Sequence, residues 1–163
     1  MKRKCVFAGS FDPPTLGHKA LIDVCLGLFD EVVVAVLDNP AKTPCFTLQQ
    51  RKEMLRLTFG EQPNITLREY WGTIAELLEQ EQTKFYVRGI RNTVDFEYEN
   101  ANFFASKKLN ADMVALYLPC SQELLHVSST MVRNSLHFKT PINEYVTKAV
   151  EEYIYGIFPD AKA

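Results

Sequence analysis

The chain alternates short apolar runs with longer segments whose apolar residues recur at helical spacing, and this alternation constrains the fold more than any other feature. The clearest run, 31–37, has an unbroken apolar stretch that is typical of a strand buried on both faces. Strands that alternate with helices form a parallel sheet covered on both sides. We therefore predict a doubly wound, Rossmann-like α/β fold with five parallel strands in the common order 3-2-1-4-5.

The 163 residues fit one domain, so we expect a single domain over 1–163, without internal repeats or linkers. The predicted strands are 4–8, 31–37, 64–68, 84–87 and 113–118. The predicted helices are 17–29, 47–59, 73–81, 94–109, 129–137 and 142–155. Thr47, followed three residues later by Gln50, is a capping-box pattern at a helix start.

Charge and composition narrow the class of protein. The 18 basic and 20 acidic residues give a net charge of −2, which lacks the basic excess usual in polynucleotide-binding proteins. Apolar runs such as 32–37 are far too short to span a membrane. The four cysteines are scattered without metal-ligand spacing, and Cys5 and Cys25 fit core positions. We expect a reduced cytoplasmic protein without nucleic-acid or membrane partners.

The stretch 9–18 connects the first predicted strand to the first predicted helix. Free backbone N–H groups and the positive end of the helix dipole make such a position suitable for phosphate. We expect Gly9 to allow a tight turn, Gly17 to allow close approach of a ligand, and the imidazole of His18 to donate to an anion. The alternative interpretation is a proline-stiffened loop with a helix-capping histidine.

Strand order 3-2-1-4-5 places the stretch 88–91 beside the loop 9–18, at the carboxyl ends of neighbouring strands. Guanidinium groups there suit phosphate recognition, and the hydroxyls of 128–130 begin a later helix, where they suggest a second phosphate site. Each feature also has an alternative explanation. The arginines could form a solvated rim, and the hydroxyls could form an ordinary helix cap. The acidic residues within 95–99 could simply interact favourably with the helix dipole. The resulting positive island comprises Ser10, His18, Lys42, Arg88, Arg91 and Arg133.

Such an island suits a nucleoside triphosphate and a second phosphorylated substrate. The sequence contains no paired carboxylates where a general base would be needed. A phosphate monoester needs no base, because it is largely dianionic near pH 7 and can attack the α-phosphorus of ATP directly. The protein then supplies orientation and positive charge. Mg²⁺ would share the charge on the triphosphate, although no acidic motif provides a dedicated protein cage for it.

The chain resembles the bacterial phosphopantetheine adenylyltransferases of the T/H-x-G-H nucleotidyltransferase superfamily. The resemblance covers nearly the whole chain and rests on these motifs, in family order: 9–13, 15–18, 39–42, 46–48, 88–91, 95–99 and 128–130. It implies transfer of an adenylyl group from ATP to 4′-phosphopantetheine without a covalent intermediate, giving dephospho-coenzyme A and pyrophosphate. It also implies a cytoplasmic homohexamer inhibited by coenzyme A.

The resemblance also implies residue roles. Catalysis would fall to His18, Lys42 and Arg91. The acceptor would contact Ser10, Lys42, Ile74 and Arg88. ATP would contact Ser10, Phe11, His18, Gly89, Ile90, Arg91, Glu99, Leu124, Leu125, His126, Val127, Ser128, Ser129 and Thr130.

The sequence departs from the family pattern in three ways. Ser10 replaces the usual Thr, Leu124 replaces a bulkier aromatic residue, and the pair at 13–14 resembles nicotinate mononucleotide adenylyltransferases. That enzyme is the alternative within the same class, and Trp71 could stack on its pyridine ring. A non-catalytic nucleotide-binding sensor is the alternative from another class.

Overall fold

A computed structural model describes residues 2–38 and 43–161. One parallel sheet has the order β3-β2-β1-β4-β5, which confirms the predicted topology. Its strands are β1 (Lys4–Gly9), β2 (Glu31–Leu37), β3 (Ile65–Tyr70), β4 (Phe85–Ile90) and β5 (Val114–Pro119). The α-helices are α1 (Leu16–Leu28), α2 (Leu48–Phe59), α3 (Ile74–Gln80), α4 (Thr93–Lys107), α5 (Ser129–Phe138) and α6 (Lys148–Ile157).

Side chains of the central strands alternate between two cores, as the period of a β-strand requires. From β1, Cys5 and Phe7 join a cluster that includes α1 and α2, whereas Val6 and Ala8 join a cluster on the opposite face that includes α3. Cys5 and Cys25 are both fully buried, as predicted. A third cluster packs α2 against α5 and α6. The helices therefore cover both faces, and a crevice opens where the chain changes direction between β1 and β4.

Three helices begin with a capping box. Thr15, Thr47 and Thr73 each accept a hydrogen bond from the backbone N–H three residues later, and the side chain at that later position accepts one in return. The box at Thr47 and Gln50 was predicted from the sequence. This arrangement satisfies backbone groups that a helix start otherwise leaves free, and it fixes where each helix begins.

The last helix was predicted six residues too early, since α6 begins at Lys148 rather than at 142. Ile142 and Val146 are buried, but they flank a turn at 143–145 rather than lying in a helix. The carbonyl of Tyr145 in this turn accepts a hydrogen bond of 2.8 Å from the N–H of Leu16. A hydrogen bond to α1 therefore helps to set the backbone conformation of this turn. The spacing of apolar residues within 142–155 could not predict such a long-range contact.

Strand β4 is longer than predicted. Arg88, Gly89 and Ile90 were expected to follow the strand, but they form its last three residues and pair with Tyr117–Pro119 of β5. Strands β1 and β3 likewise extend to Gly9 and Tyr70. The side chain of Arg88 therefore projects from a sheet strand rather than from a loop.

Helix α4 differs from the other five α-helices in having no buried residue. Val94, Tyr98 and Phe104 on this helix are 71%, 65% and 57% exposed. Across residues 2–38 and 43–161, no helix is long and apolar enough to cross a lipid bilayer.

Candidate active site

A cavity of about 260 Å³ lies at the carboxyl ends of β1 and β4. It brings together the loop 9–18, the end of β4, the start of α4 and the start of α5. The lining residues are Phe7, Ala8, Gly9, Thr15, Gly17, His18, Leu21, Arg88, Gly89, Arg91, Asp95, Glu99, Cys120, Leu124, Val127, Ser128, Ser129 and Thr130. The stretches that the sequence analysis expected to meet therefore line one cavity.

His18 has one ring nitrogen engaged and one available. Its Nδ1 accepts a hydrogen bond of 3.1 Å from the backbone N–H of Thr15. The neutral ring must therefore carry its proton on Nε2, which makes Nε2 a donor. Burial, together with the smaller effect of the positive charges of Arg88 and Arg91, lowers the pKa of His18 to about 4. The capping interpretation and the anion-donor interpretation are thus compatible, because each uses a different nitrogen.

The loop between β1 and α1 is held by hydrogen bonds to its own backbone. Three of its carbonyl groups accept a bond from a side chain of α2 or α5. The pairs are Arg51 to Ser10 (2.9 Å), Arg133 to Asp12 (2.5 Å) and Ser129 to Pro13 (2.7 Å). Arg133, expected to belong to the positive island, therefore also holds this loop in place.

Asp12 ties this loop to the segment that follows residues 39–42. Its buried carboxylate accepts hydrogen bonds of 2.9 Å from the backbone N–H groups of Cys45 and Phe46. Hydrogen bonds from two backbone N–H groups to one ionised carboxylate are strong, so they hold the two segments together. Lys42, which the sequence analysis placed at the site, lies outside the described residues.

The tight turn uses a different residue from the one predicted. Gly9 is the last residue of β1, whereas the left-handed backbone conformation (φ 48°) occurs at Phe11. This conformation costs a non-glycine residue roughly 1–2 kcal/mol. The ring of Phe11 is 1% exposed and packs edge-on against His18 at a centroid distance of 4.9 Å. Burial of the ring offsets the backbone cost and supports the imidazole.

Ion pairs organise the other side of the cavity. Arg88 donates from Nη1 to the carbonyl of Ala8 and from Nη2 to the carboxylate of Glu99. Glu99 lines the cavity, but its carboxylate is engaged by this arginine. Arg91 donates to Asp95 at 2.9 Å. The two guanidinium groups thus face the cavity in fixed positions.

The hydroxyl groups at the start of α5 have partners within the protein. Ser128 accepts a hydrogen bond from the N–H of Met131, and Thr130 accepts one from Arg133. With the bond from Ser129 to Pro13 noted above, all three hydroxyls contribute to local structure. The ordinary-cap interpretation therefore describes part of what this cluster does.

A second cavity of about 290 Å³ lies on the other side of the same loop. It is lined by Ser10, Asp12, Leu37, Asp38, Thr43, Pro44, Arg51 and Arg133. Ser10, predicted to contact both substrates, lines this second cavity rather than the first.

Five other residues predicted to contact a substrate line neither cavity. Phe11 is in the core, Ile74 packs beside Leu37 and Tyr70, and Ile90 ends β4. Leu125 is 45% exposed, and the exposed ring of His126 lies edge-on to Tyr145.

Sequence reasoning missed two residues, Asp12 and Arg51. Arg51 is 2% exposed and occupies the buried face of α2 together with Met54 and Leu55. A charged residue three and four positions before apolar core residues is the signal that could have revealed it. Asp12 gave no comparable signal, because its partners are backbone groups more than 30 residues away.

Residues 6–135 match the model of a protein family described as "Cytidylyltransferase-like". The phosphopantetheine adenylyltransferase of Symbiobacterium thermophilum is 39% identical over 138 residues, which cover 85% of each chain. The enzyme of the same name from Caldanaerobacter subterraneus subsp. tengcongensis is 35% identical over 156 residues, covering 96% of this chain and 98% of that one.

Solved structures share the fold at lower identity. A putative nicotinate-nucleotide adenylyltransferase from Vibrio parahaemolyticus superposes with a TM-score of 0.74 and 23% identity, covering 96% of this chain and 93% of that one. The nicotinic acid mononucleotide adenylyltransferase of Plasmodium falciparum complexed with NaAD gives a TM-score of 0.71 and 17% identity, covering 96% of both chains. At this identity the similarity concerns the fold alone.

Proposed function

Because the chain belongs to the cytidylyltransferase-like family, and within it to the phosphopantetheine adenylyltransferases, we propose that it transfers the adenylyl group of ATP to 4′-phosphopantetheine. The products are dephospho-coenzyme A and pyrophosphate. The structural observation that carries the proposal is one cavity in which His18, a donor in its neutral form, lies with Arg88 and Arg91. One hydrogen-bond donor and two positive charges can stabilise the negative charge of the phosphate that is transferred with the adenylyl group.

In this mechanism the acceptor brings its own nucleophile. An oxygen of its phosphate dianion attacks the α-phosphorus of ATP in line and forms a new P–O bond. The bond from the α-phosphorus to the bridging oxygen breaks, and its electron pair leaves with pyrophosphate. The Nε2–H of His18 donates to the negative charge that develops on the phosphoryl oxygens. Mg²⁺ enters with ATP as part of the substrate, and it shares the charge of the triphosphate.

Roles within the site follow from the family resemblance. Ser10, Lys42, Ile74 and Arg88 contact the acceptor, while Arg91 and the starts of α4 and α5 contact ATP. Support comes from the position of Ser10 beside a second cavity that also contains Arg51 and Arg133. Lys42 and Arg91 assist His18 in catalysis.

The decisive experiment measures pyrophosphate release from ATP and Mg²⁺ with either 4′-phosphopantetheine or nicotinate mononucleotide, at equal concentrations. We expect a higher kcat/KM with 4′-phosphopantetheine. A higher value with nicotinate mononucleotide would overturn the proposed acceptor. ATP binding without turnover of either acceptor would identify a sensor instead.

Direct transfer also predicts that no covalent enzyme–nucleotide intermediate forms. Cys120 is the one cysteine that lines the described cavity, so it is the group to monitor. Intact mass spectrometry after incubation with ATP alone should show the unmodified chain. An added mass of one AMP that survives denaturation would contradict direct transfer.

Assembly, regulation and compartment complete the proposal. The family resemblance implies a cytoplasmic homohexamer inhibited by coenzyme A. The exposed apolar residues of α4, among them Val94, Tyr98 and Phe104, support association of copies, because water-exposed apolar area favours burial. Light scattering should give the mass of six chains, and a monomeric mass would contradict the assembly.

Coenzyme A should compete in the pyrophosphate assay.

A further inference from the structure

Arg51 is a buried cation that the proposed mechanism does not use. Although it is charged, its side chain is only 2% exposed and lies among apolar residues on the buried face of α2. Removing a guanidinium group from water is costly unless its donors are satisfied. Its Nη1 lies 2.9 Å from the carbonyl oxygen of Ser10 and 3.2 Å from that of Leu37. Its Nη2 lies 3.4 Å from Oδ1 of Asp38.

These partners belong to the ends of two neighbouring strands. The parallel pairing of β1 with β2 runs from Lys4 opposite Glu31 to Gly9 opposite Val36. Ser10 follows Gly9 and Leu37 follows Val36, so Arg51 donates to the two carbonyls directly after the last pair of the ladder. Its planar fork of donors can satisfy several acceptors at once, which a single ammonium group on a flexible stem does less well. The guanidinium thus takes over the connection between the two strand ends.

Ser10, which directly follows β1, is one of the residues assigned above to the acceptor. Ser10 lines the second cavity together with Arg51, and Asp38 begins the segment that carries Lys42. We propose that Arg51 is a positioning residue that holds Ser10 at a fixed distance from Leu37 and Asp38, and thereby sets the fit of the acceptor phosphate. This inference rests on the proposed function.

The test compares two arginines on the same helix. Arg56 pairs with Glu53 on α2 itself, and its side chain is 54% exposed. R51K retains the charge but replaces the fork by one nitrogen, whereas R56K makes the same chemical change at the surface. We expect R51K to raise the KM for 4′-phosphopantetheine about tenfold, the loss of one charged hydrogen bond. ATP affinity should change less than about twofold in R51K, and R56K should match the wild type.

A double-mutant cycle distinguishes positioning from general support. If Arg51 acts through Ser10, R51K should raise the acceptor KM much less in an S10A background than in the wild type. Independent, additive effects of the two substitutions would overturn the inference. An acceptor KM in R51K equal to that in R56K would also overturn it.

Acceptor binding can also be measured without turnover. Trp71 is the sole tryptophan, and its Nε1 lies 3.3 Å from Oδ2 of Asp38, the carboxylate that faces Arg51. Its fluorescence during titration with 4′-phosphopantetheine should give a raised Kd for R51K and an unchanged Kd for R56K. If R51K does not fold, D38N provides the second variant, and an unchanged acceptor Kd in D38N would count against the inference. A wild type that fails to use 4′-phosphopantetheine would refute the proposed function instead.

Discussion

The two sides of the main cavity are built in different ways. On one side, the loop 9–18 is held through its backbone, by hydrogen bonds to three carbonyls and by the carboxylate of Asp12. On the other side, the end of β4 and helix α4 are connected through side-chain ion pairs, and α4 has no buried residue. Backbone bonds fix geometry, whereas ion pairs place charge and respond to salt and pH.

The two sides together determine the state of His18. The arginines of the β4–α4 side add to burial in lowering the pKa of His18 to about 4, so the imidazole stays neutral. A neutral imidazole whose Nδ1 is engaged can only donate through Nε2. The charged side therefore determines the protonation state, and the rigid side determines the direction of the donated hydrogen bond.

Removing the donor from the rigid side should give the largest effect. We expect His18→Ala to lower kcat about 10²–10³-fold, the typical result of losing one donor to developing charge. ATP affinity should change far less, because the donor matters most in the transition state. His137→Ala is the control, since His137 lies on α5 outside both cavities. A kcat equal to that of the control would refute the role of His18.

The low pKa of His18 also predicts a pH dependence of stability. Between about pH 4 and the ordinary value near 6.5, the unfolded chain binds a proton that the folded chain does not. The free energy of unfolding of the wild type should therefore fall as the pH decreases through this window. Urea denaturation of His18→Ala should show a smaller decrease, and an identical decrease would contradict the assigned pKa.

Breaking the partly buried ion pair of the charged side should give the next largest effect. Glu99→Ala leaves the guanidinium of Arg88 without its carboxylate, which we expect to cost about 3 kcal/mol of unfolding free energy. The KM for the acceptor should rise, because Arg88 loses its fixed position. Glu99→Gln retains an acceptor oxygen and should cost less. Glu97→Ala, at an exposed position of the same helix, is the control, and equal stability of Glu99→Ala and Glu97→Ala would contradict this assignment.

The sequence predicted the charged side better than the rigid side. The end of β4 was recognisable because two arginines surround a glycine after an apolar run. Alternation of strands and helices predicted the parallel sheet, and the common doubly wound order, which the structure confirms, was assumed for its strands. The hydrogen bonds of the rigid side join residues far apart in the chain, such as Arg133 to Asp12 and Tyr145 to Leu16. Such contacts leave no periodic signal, so neither the role of Asp12 nor the late start of α6 could be predicted.

A substitution at the boundary between the two sides tests how far they are coupled. A Cβ atom on Gly89 would lie 2.1 Å from Cδ1 of Leu21, a residue of α1 that also lines the cavity. Gly89→Ala should therefore displace Leu21 and cost about 1–3 kcal/mol, with weaker ATP binding. In Gly27→Ala the new Cβ meets no atom within 4 Å, and we expect a gain of about 0.5–1 kcal/mol. Unchanged stability and ATP affinity in Gly89→Ala would show that the contact is not restrictive.

The smallest effect should come from the exposed ion pair of the charged side. The Arg91 and Asp95 side chains are 39% and 24% exposed, against 24% and 11% for Arg88 and Glu99. We expect Asp95→Asn to cost less than about 1 kcal/mol, and the cost should shrink further in high salt. Burial raises the pKa of Asp95, but the hydrogen bonds and charge of Arg91 outweigh this and lower it.

A carboxyl group with a lowered pKa stabilises the folded state above its ordinary pKa near 4, and this stability is lost as the pH falls through the lowered value. The stability difference between wild type and Asp95→Asn should therefore be present at pH 7 and disappear in acid. Urea denaturation at both pH values measures it, beside Glu99→Ala. If Asp95→Asn costs as much as Glu99→Ala, the difference in exposure does not distinguish the two pairs, and the charged side acts as one network rather than as a partly buried pair with a more exposed neighbour.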